Sequence, residues 1–279
     1  MIDPQTLQAA VRELPALPQA LSDLLAALQR EDVAVEQLAL KIASDQALTA
    51  KALRLANCSF YGVAGRVHSI RDAINVLGLR SLAGALTAAA VSGSFARPRC
   101  AGFDFDAYWR HSMASALCAQ ALAQSLKIDE AAAFTAALLH DIGRLALASH
   151  YPDALAQALR HRAERDCQPV TAERHILGTD HAQVGASIAE HWRFAPAIVD
   201  AIRRHHAPPD DGGGVSLLDV VHVADNIAHA LDVCGLPDEL VPPLSLSAWT
   251  RLALSPEQYR QIFERTEWQL NDLCEALTV

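Results

Sequence analysis

The sequence is short of what strands need. Aromatic residues make up only 5% of it and runs of β-branched residues are scarce, while alanine and leucine dominate an apolar content of 51%. That mixture favours helices, so the expected fold class is all-α. At 279 residues the chain has enough apolar material for one large core or two medium ones, which excludes disorder.

Positive charge is also in deficit. With 23 basic against 32 acidic residues the formal net charge is -9. A basic face is needed to neutralise phosphates, so this balance opposes non-specific binding to nucleic acid or to anionic membrane surfaces. No basic stripe with interleaved aromatics is present either. A small charged ligand in a local pocket stays compatible with the charge. No run approaches about 18 uninterrupted apolar residues, and Met1-Ile2-Asp3-Pro4-Gln5 lacks the positive segment and apolar stretch of a secretion signal. The expectation is a cytoplasmic protein outside the membrane. Six cysteines (Cys58, Cys100, Cys118, Cys167, Cys234 and Cys274) are scattered without a C-x-x-C pair and read as buried small hydrophobes.

What is present is helical periodicity. Leu14-Pro15-Ala16-Leu17-Pro18 suits a helix entrance, and Leu21, Leu24, Leu25 and Leu28 recur behind it at helical spacing. After the polar break Gln29-Arg30-Glu31-Asp32, Val35, Leu38, Ala39 and Ile42 repeat the pattern. Ser44 or Asp45 then caps a helix that runs out at Asn57. Tyr61 to Gly65 reads as a loop, Ser69 with Asp72 as a capping box for a helix ending at Gly78, and a further helix follows over 79–94. Arg97-Pro98-Arg99-Cys100-Ala101-Gly102 breaks the periodicity with proline, glycine and charge together. This divides the chain into an N-terminal helical part, 1–97, and a second part, 103–279. In the second part helices are expected over 105–126, 129–149, 152–166, 181–192, 196–206 and 215–231, with a last pair of helical segments over 255–277. Residues 207–214, with Pro208-Pro209-Asp210-Asp211-Gly212-Gly213-Gly214, form a flexible loop.

Chemistry concentrates in the second part, since of twelve histidines only His68 lies before the boundary. His140-Asp141 stands inside the otherwise apolar Phe134 to Gly143 run, and Phe134, Ala137 and Leu138 share the face of Asp141, so its carboxylate points where the core belongs. An ionised carboxylate there costs several kcal/mol unless paired or bound to a cation, and no lysine stands at i±4. Divalent iron, manganese or zinc accepts mixed imidazole and carboxylate ligands, and adjacent His and Asp share one ion only where the helix ends or the ion sits at its rim. An isolated His-Asp dipeptide is more often a hydrogen-bonded structural pair. This one has company in His111, His181, the doublet His205-His206, and Asp225 on a face with Val221, His222 and Ile227.

The order His111, His140-Asp141, Asp225 resembles the ligand pattern of the HD superfamily of metal-dependent phosphohydrolases, and His181 with His205-His206 resembles the extra set of its binuclear members. That resemblance implies that His111, His140, Asp141 and Asp225 hold one ion, and that His181 with one or both of His205 and His206 holds a second. The N-terminal half narrows it. Leu14-Pro15-Ala16-Leu17-Pro18, Ser44-Asp45-Gln46-Ala47-Leu48, Arg54-Leu55-Ala56-Asn57-Cys58 and Ala73-Ile74-Asn75-Val76-Leu77-Gly78 resemble the HDOD (HD-related output domain) family. So do Tyr108-Trp109-Arg110-His111-Ser112, Leu138-Leu139-His140-Asp141-Ile142-Gly143-Arg144 and Asp180-His181-Ala182-Gln183-Val184-Gly185-Ala186, and the resemblance extends from Leu14 to Leu277. Small departures stand at Ser44-Asp45-Gln46, where Asp-Pro is common, and at Asn57-Cys58, where Asn-Ser is common.

The family resemblance implies a bacterial signal-transduction module, of a kind often attached to receiver or cyclic-dinucleotide domains, none of which is expected within these residues, with no settled enzymatic activity. Its partners would be signalling proteins or a small nucleotide ligand. The alternative is an active metal-dependent phosphohydrolase or phosphodiesterase, in which Asp141 and Arg144 serve catalysis and Arg203 or Arg204 adds charge stabilisation, against a plain reading of those two as a solvated helix face. Cleavage of cyclic di-GMP in the manner of the HD-GYP phosphodiesterases is not expected. After the His doublet the chain runs Ala207-Pro208-Pro209 rather than into an acidic residue and a Gly-Tyr-Pro loop, and Arg144 stands where those enzymes carry lysine.

Overall fold

The computed structural model describes residues 2–14, 17–27, 35–57, 67–95, 97–210, 213–236 and 240–277. The expected polar break at Gln29 to Asp32 and the loop from Tyr61 to Gly65 lie outside these residues, as do Leu28, Cys58, Asp211 and Gly212. Among the described residues the fold is all-helical, with no strand. The N-terminal helices are α1 (Pro4–Arg12), α2 (Gln19–Ala27), α3 (Val35–Ser44), α4 (Gln46–Ala56), α5 (Ile70–Leu77) and α6 (Leu79–Ser94). They are followed by α7 (Phe105–Leu126), α8 (Glu130–Leu139), α9 (Ile142–His150), α10 (Pro152–Arg165), α11 (Pro169–Leu177) and α12 (His181–His191). The last are α13 (Pro196–Arg204), α14 (Leu217–Ala230), α15 (Leu246–Leu252) and α16 (Pro256–Leu277).

Local chemistry sets many of the boundaries. Asp45, Asp104, Asp129, Asp180, Ser216 and Ser245 each accept a backbone N–H of the helix they open, and Pro152, Pro169 and Pro196 occupy first-turn positions where no donor is lost. Ser69 caps α5 by accepting from Asp72 N–H, and α5 ends at Gly78 with φ 77°.

α7 is the axis of the molecule. Its residues from Ala107 to Ala123 are buried apart from Arg110, and α8, α14 and α16 pack around it. α6 packs on α8, α4 and α6 also touch α16, and α1 rests on α12, with Ile2 N–H donating to Leu177 carbonyl at 2.7 Å. One buried apolar cluster runs from Val11 to Leu270. The segment apolar and long enough to cross a membrane by composition, Glu130–His150, is 89% buried in its most apolar window, as a core element is.

Four elements differ from the sequence reading. The helix expected over 129–149 is two, broken at His140-Asp141, because Asp141 leaves helical geometry and caps α9. The tail is one helix over Pro256–Leu277, preceded by the short α15, rather than a pair within 255–277. α1 and α11, both rich in polar residues, were not anticipated.

The break at Asp141 matters because of what crosses it. A Cβ on Gly143 would lie 2.0 Å from the carbonyl oxygen of His181 and 2.7 Å from Gly185 N, so α9 and α12 meet backbone to backbone. Gly185 keeps the same seam narrow from the other side, with Gly143 N 3.3 Å from where its Cβ would be. The start of α9 is thereby pressed against the start of α12.

Candidate metal centre

Five segments converge on one buried point: the second turn of α7, the α8–α9 break, the first residue of α12, the two residues after α13, and the middle of α14. They bring together His111, His140, Asp141, His181, His205, His206 and Asp225, the seven residues proposed from sequence, and add His229, one turn beyond Asp225. All are buried except His206 and His229, which are partly so.

The carboxylates organise two halves. Asp225 Oδ1 lies 3.0 Å from His111 Nε2 and 3.4 Å from both His140 Nε2 and His229 Nε2. Asp141 Oδ1 lies 3.1 Å from His181 Nε2 and 3.8 Å from both His140 Nε2 and His205 Nε2. His140 thus stands between the halves. His181 and His206 face each other, Nε2 to Nε2, at 2.8 Å.

The grouping overlaps the one implied by resemblance without reproducing it. Asp141 falls with His111 and His140, and also with His181, His205 and His206, while Asp225 falls with His111 and His229 or with His140 and His205. Both carboxylates are held well below the usual carboxylate range. Burial opposes this at each, and is outweighed at Asp141 by His140, His181 and Arg144, and at Asp225 by His229, His111 and His140.

The imidazoles are aimed. His140 Nδ1–H donates to Ala137 carbonyl at 2.5 Å, His205 Nδ1–H to Ile202 carbonyl at 2.8 Å, and His181 Nδ1–H to Glu173 Oε2 at 2.6 Å. Each outer bond turns the ring so that Nε2 faces the centre, and at His140 and His205 it selects the tautomer that leaves the Nε2 lone pair there. Burial, with the neighbouring His140 and His181, pushes His205 down to about 3, and burial with His205 pushes His206 down further. Burial also resists charge on His181, but Glu173 and Asp141 raise it to about 10.

Two atoms at the heart of the cluster, His205 Nε2 and Asp225 Oδ2, have no hydrogen-bond partner though both are fully enclosed. Leaving such atoms unpaired costs about 1–3 kcal/mol each, more for a charged one. Ionised carboxylates and unpaired lone pairs around a common point are the donor set a divalent cation accepts, so the residues fit a metal.

Arg144 answers the question raised by the missing lysine. Its Nη1 donates to Asp141 Oδ2 at 3.0 Å, from the first turn of α9, leaving Oδ1 toward the histidines. Together with Arg162, Tyr108, His111 and His229 it lines a cavity of about 220 Å³ that adjoins the cluster, with Leu159 on its apolar wall. Arg203 and Arg204 are elsewhere, paired with Glu190 and Asp200 at 2.7 and 3.4 Å. The plain reading of those two holds.

Two residues escaped the sequence reading, and a third was read only as a neighbour. His229 carried a findable signal, since it lies four residues from Asp225 on the same helix. Glu173 carried none, being buried only because α11 folds over the start of α12. His222, noticed as a neighbour of Asp225, turns its ring away from the cluster to the backbone of His205.

A family profile for the HDOD domain matches residues 14–208. The match stops short of Asp225, so the likeness read through Leu277 is shorter at the level of the profile. Beyond it the chain is covered by solved structures. A crystal structure of a candidate phosphohydrolase from Shewanella amazonensis SB2B is 28% identical, with a TM-score of 0.76 and 98% of each chain covered. The MmoQ response regulator of Methylococcus capsulatus is 29% identical with a TM-score of 0.50, covering 90% of this chain and 97% of that one. An uncharacterised protein of Treponema pallidum (strain Nichols) is 26% identical over 204 residues, 71% of this chain. The chain spans only 39% of the length of that curated relative.

Proposed function

The chain belongs to the HDOD domain family, and from that premise we propose a bacterial, cytoplasmic signalling module whose HD-type scaffold holds divalent metal and binds a small phosphorylated ligand beside it. The observation that carries the reading is the set of three anchored imidazoles whose Nε2 atoms meet two ionised carboxylates in a buried cluster with unpaired lone pairs. A merely structural His-Asp network would satisfy its own donors and acceptors. Iron, manganese or zinc suits the mixed ligands, with two ions disposed around Asp141 and Asp225.

The cavity supplies the ligand side. Arg144 and Arg162 suit an anion, Leu159 suits an apolar or flat moiety, and a volume of about 220 Å³ suits a small phosphorylated ligand or part of a nucleotide. The response-regulator relative supports the signalling role, and partner signalling proteins would read the ligand state.

A second reading, a working phosphohydrolase, is favoured by one observation: Arg144 lines the cavity while holding Asp141. A bound cation would supply Lewis acidity toward water and a phosphoryl oxygen. Arg144 would carry charge on the phosphoryl oxygens, and Asp141 would orient Arg144. The candidate phosphohydrolase relative supports this reading.

Elemental analysis of purified protein tests the first reading. The expected result is up to two equivalents of iron, manganese or zinc, lost in Asp141→Ala; a chain that takes up none of the three sinks it. Turnover of a phosphate ester by wild type, absent in folded Asp141→Ala, would establish the hydrolase instead of a purely regulatory role.

A further inference from the structure

His205 and His206 sit after the end of α13, on a stretch with no helix among its described residues before α14. Besides its bonds to Ile202, Arg204 and His181, three bonds hold it, and these lead to α14 and α15. His222, buried on α14, donates from Nδ1–H to the carbonyl of His205 at 2.6 Å and accepts from the backbone N–H of Ser245 at Nε2, 2.8 Å away. Ser245 is the residue that caps α15, its Oγ accepting from Ala248 N–H at 3.2 Å. Arg251, at the other end of α15, donates to Pro209 carbonyl at 2.9 Å and to Asp219 Oδ1 at 2.6 Å. Ser247 Oγ donates to the carboxylate of Asp210.

α15 is itself pinned. Trp249 stacks on Tyr259 of α16 with ring centroids 4.0 Å apart and planes 7° from parallel. Asp219, which receives Arg251, closes the capping box of α14 with Ser216. Residues 205–210 are therefore tied to an outer helix at their start, at Pro209 and at Asp210. His111 stands apart from these ties on α7, whereas Asp225 and His229 share α14 with His222 and Asp219.

We propose that α15 is a clamp that positions the His205-His206 doublet, with His222 as its pivot, and that it sets occupancy of the Asp141 half of the centre more than that of the Asp225 half. The inference rests on the metal reading above. His222 is a positioning residue: with Nδ1 donating and Nε2 accepting, both ring nitrogens are spent on backbone, and it reaches the ions only through His205.

The test is manganese titration of metal-stripped full-length chain, read as stoichiometry and as the electron paramagnetic resonance of coupled against isolated ions. Wild type should bind two ions. His222→Leu should bind one at unchanged affinity and the other at least about tenfold more weakly, with loss of the coupled spectrum. His222→Gln, whose amide reaches the His205 carbonyl, should recover most of the second site. Should His222→Leu fail to fold, Ser247→Ala removes the tie to Asp210 together with a bond to Ser245 Oγ, and should weaken the second site alone. Two ions at wild-type affinity in both His222→Leu and Ser247→Ala, or equal weakening of both sites, would overturn the clamp. Wild type without any manganese would instead overturn the metal reading, and the clamp with it.

Discussion

Glu173 accepts two hydrogen bonds from His181, one from ring Nδ1–H at 2.6 Å and one from the backbone N–H at 2.8 Å. A single buried carboxylate oxygen thus fixes both where α12 begins and which nitrogen of its first residue faces Asp141. Fold and site meet at this pair: the oxygen that satisfies the free N–H at the start of α12 also sets the basicity of the imidazole.

Replacing Glu173 should therefore tune metal binding without emptying the centre. Glu173→Gln can still accept from one donor but withdraws the charge that makes His181 a stronger ligand. The expected effect is roughly 10–100-fold weaker affinity for one ion, read by competition with a chromogenic chelator. Unchanged affinity would mean that His181 is no ligand.

The α9–α12 seam makes a sharper demand. Gly143→Ala places a methyl group 2.0 Å from the His181 carbonyl oxygen, and the obstacle is backbone that cannot swing aside. Overpacking of this kind costs about 1–3 kcal/mol, and a clash with backbone belongs at the top of that range or above it. Chemical denaturation should show that loss along with weakened metal binding, because the seam holds Asp141 against His181. A variant as stable as wild type would mean that the helices are not so close.

The chemistry of the centre was legible in the sequence where polar residues interrupt apolar runs. His140-Asp141 stands out for that reason, and the other ligand candidates through the family resemblance. The helix break at that dipeptide was not legible, because apolar residues continue from Leu139 to Ile142 and periodicity carries straight through a cap. Glu173 and His222 were illegible for another reason. Each owes its role to a partner brought by the fold, His181 across the α11–α12 turn and Ser245 at 23 residues' distance. Hydrophobic pattern reports which side of a helix is buried, and says nothing of which backbone atom a buried polar group will meet.

Acid should probe the outer clamp through Asp219. Burial tends to raise its pKa, but the bonds from Arg251 and Ser216 outweigh this and hold it below the ordinary value. A depressed carboxylate stabilises the fold above its unfolded pKa of about 3.9, and that contribution is lost as pH falls through the lower folded value. Wild type should exceed Asp219→Asn in thermal stability at pH 7, and the gap should narrow below about pH 4. A gap that stays constant down to pH 3 would count against the ionised pair.

Arg144 offers a test that separates an ion from a structural network. Without metal, Arg144 is the nearest fixed cation on Asp141, joined to Oδ2 at 3.0 Å, and its removal leaves a buried carboxylate short of charge. Breaking a fully buried pair costs about 3–5 kcal/mol, and since Arg144 is partly exposed the cost should fall near or below the low end. With metal bound, Asp141 Oδ1 has a second cation, so the same substitution should cost less. The drop in melting temperature caused by Arg144→Ala should accordingly be larger in chelator than in manganese, while Arg144→Lys should show a smaller drop in both. Manganese itself should raise the wild-type midpoint, by about 2.7 kcal/mol of stabilisation when the free ion stands at roughly 100 times its dissociation constant. Equal drops with and without manganese would place the ion, if any, away from Asp141, and the charge on that carboxylate would then belong to Arg144 and the histidines alone.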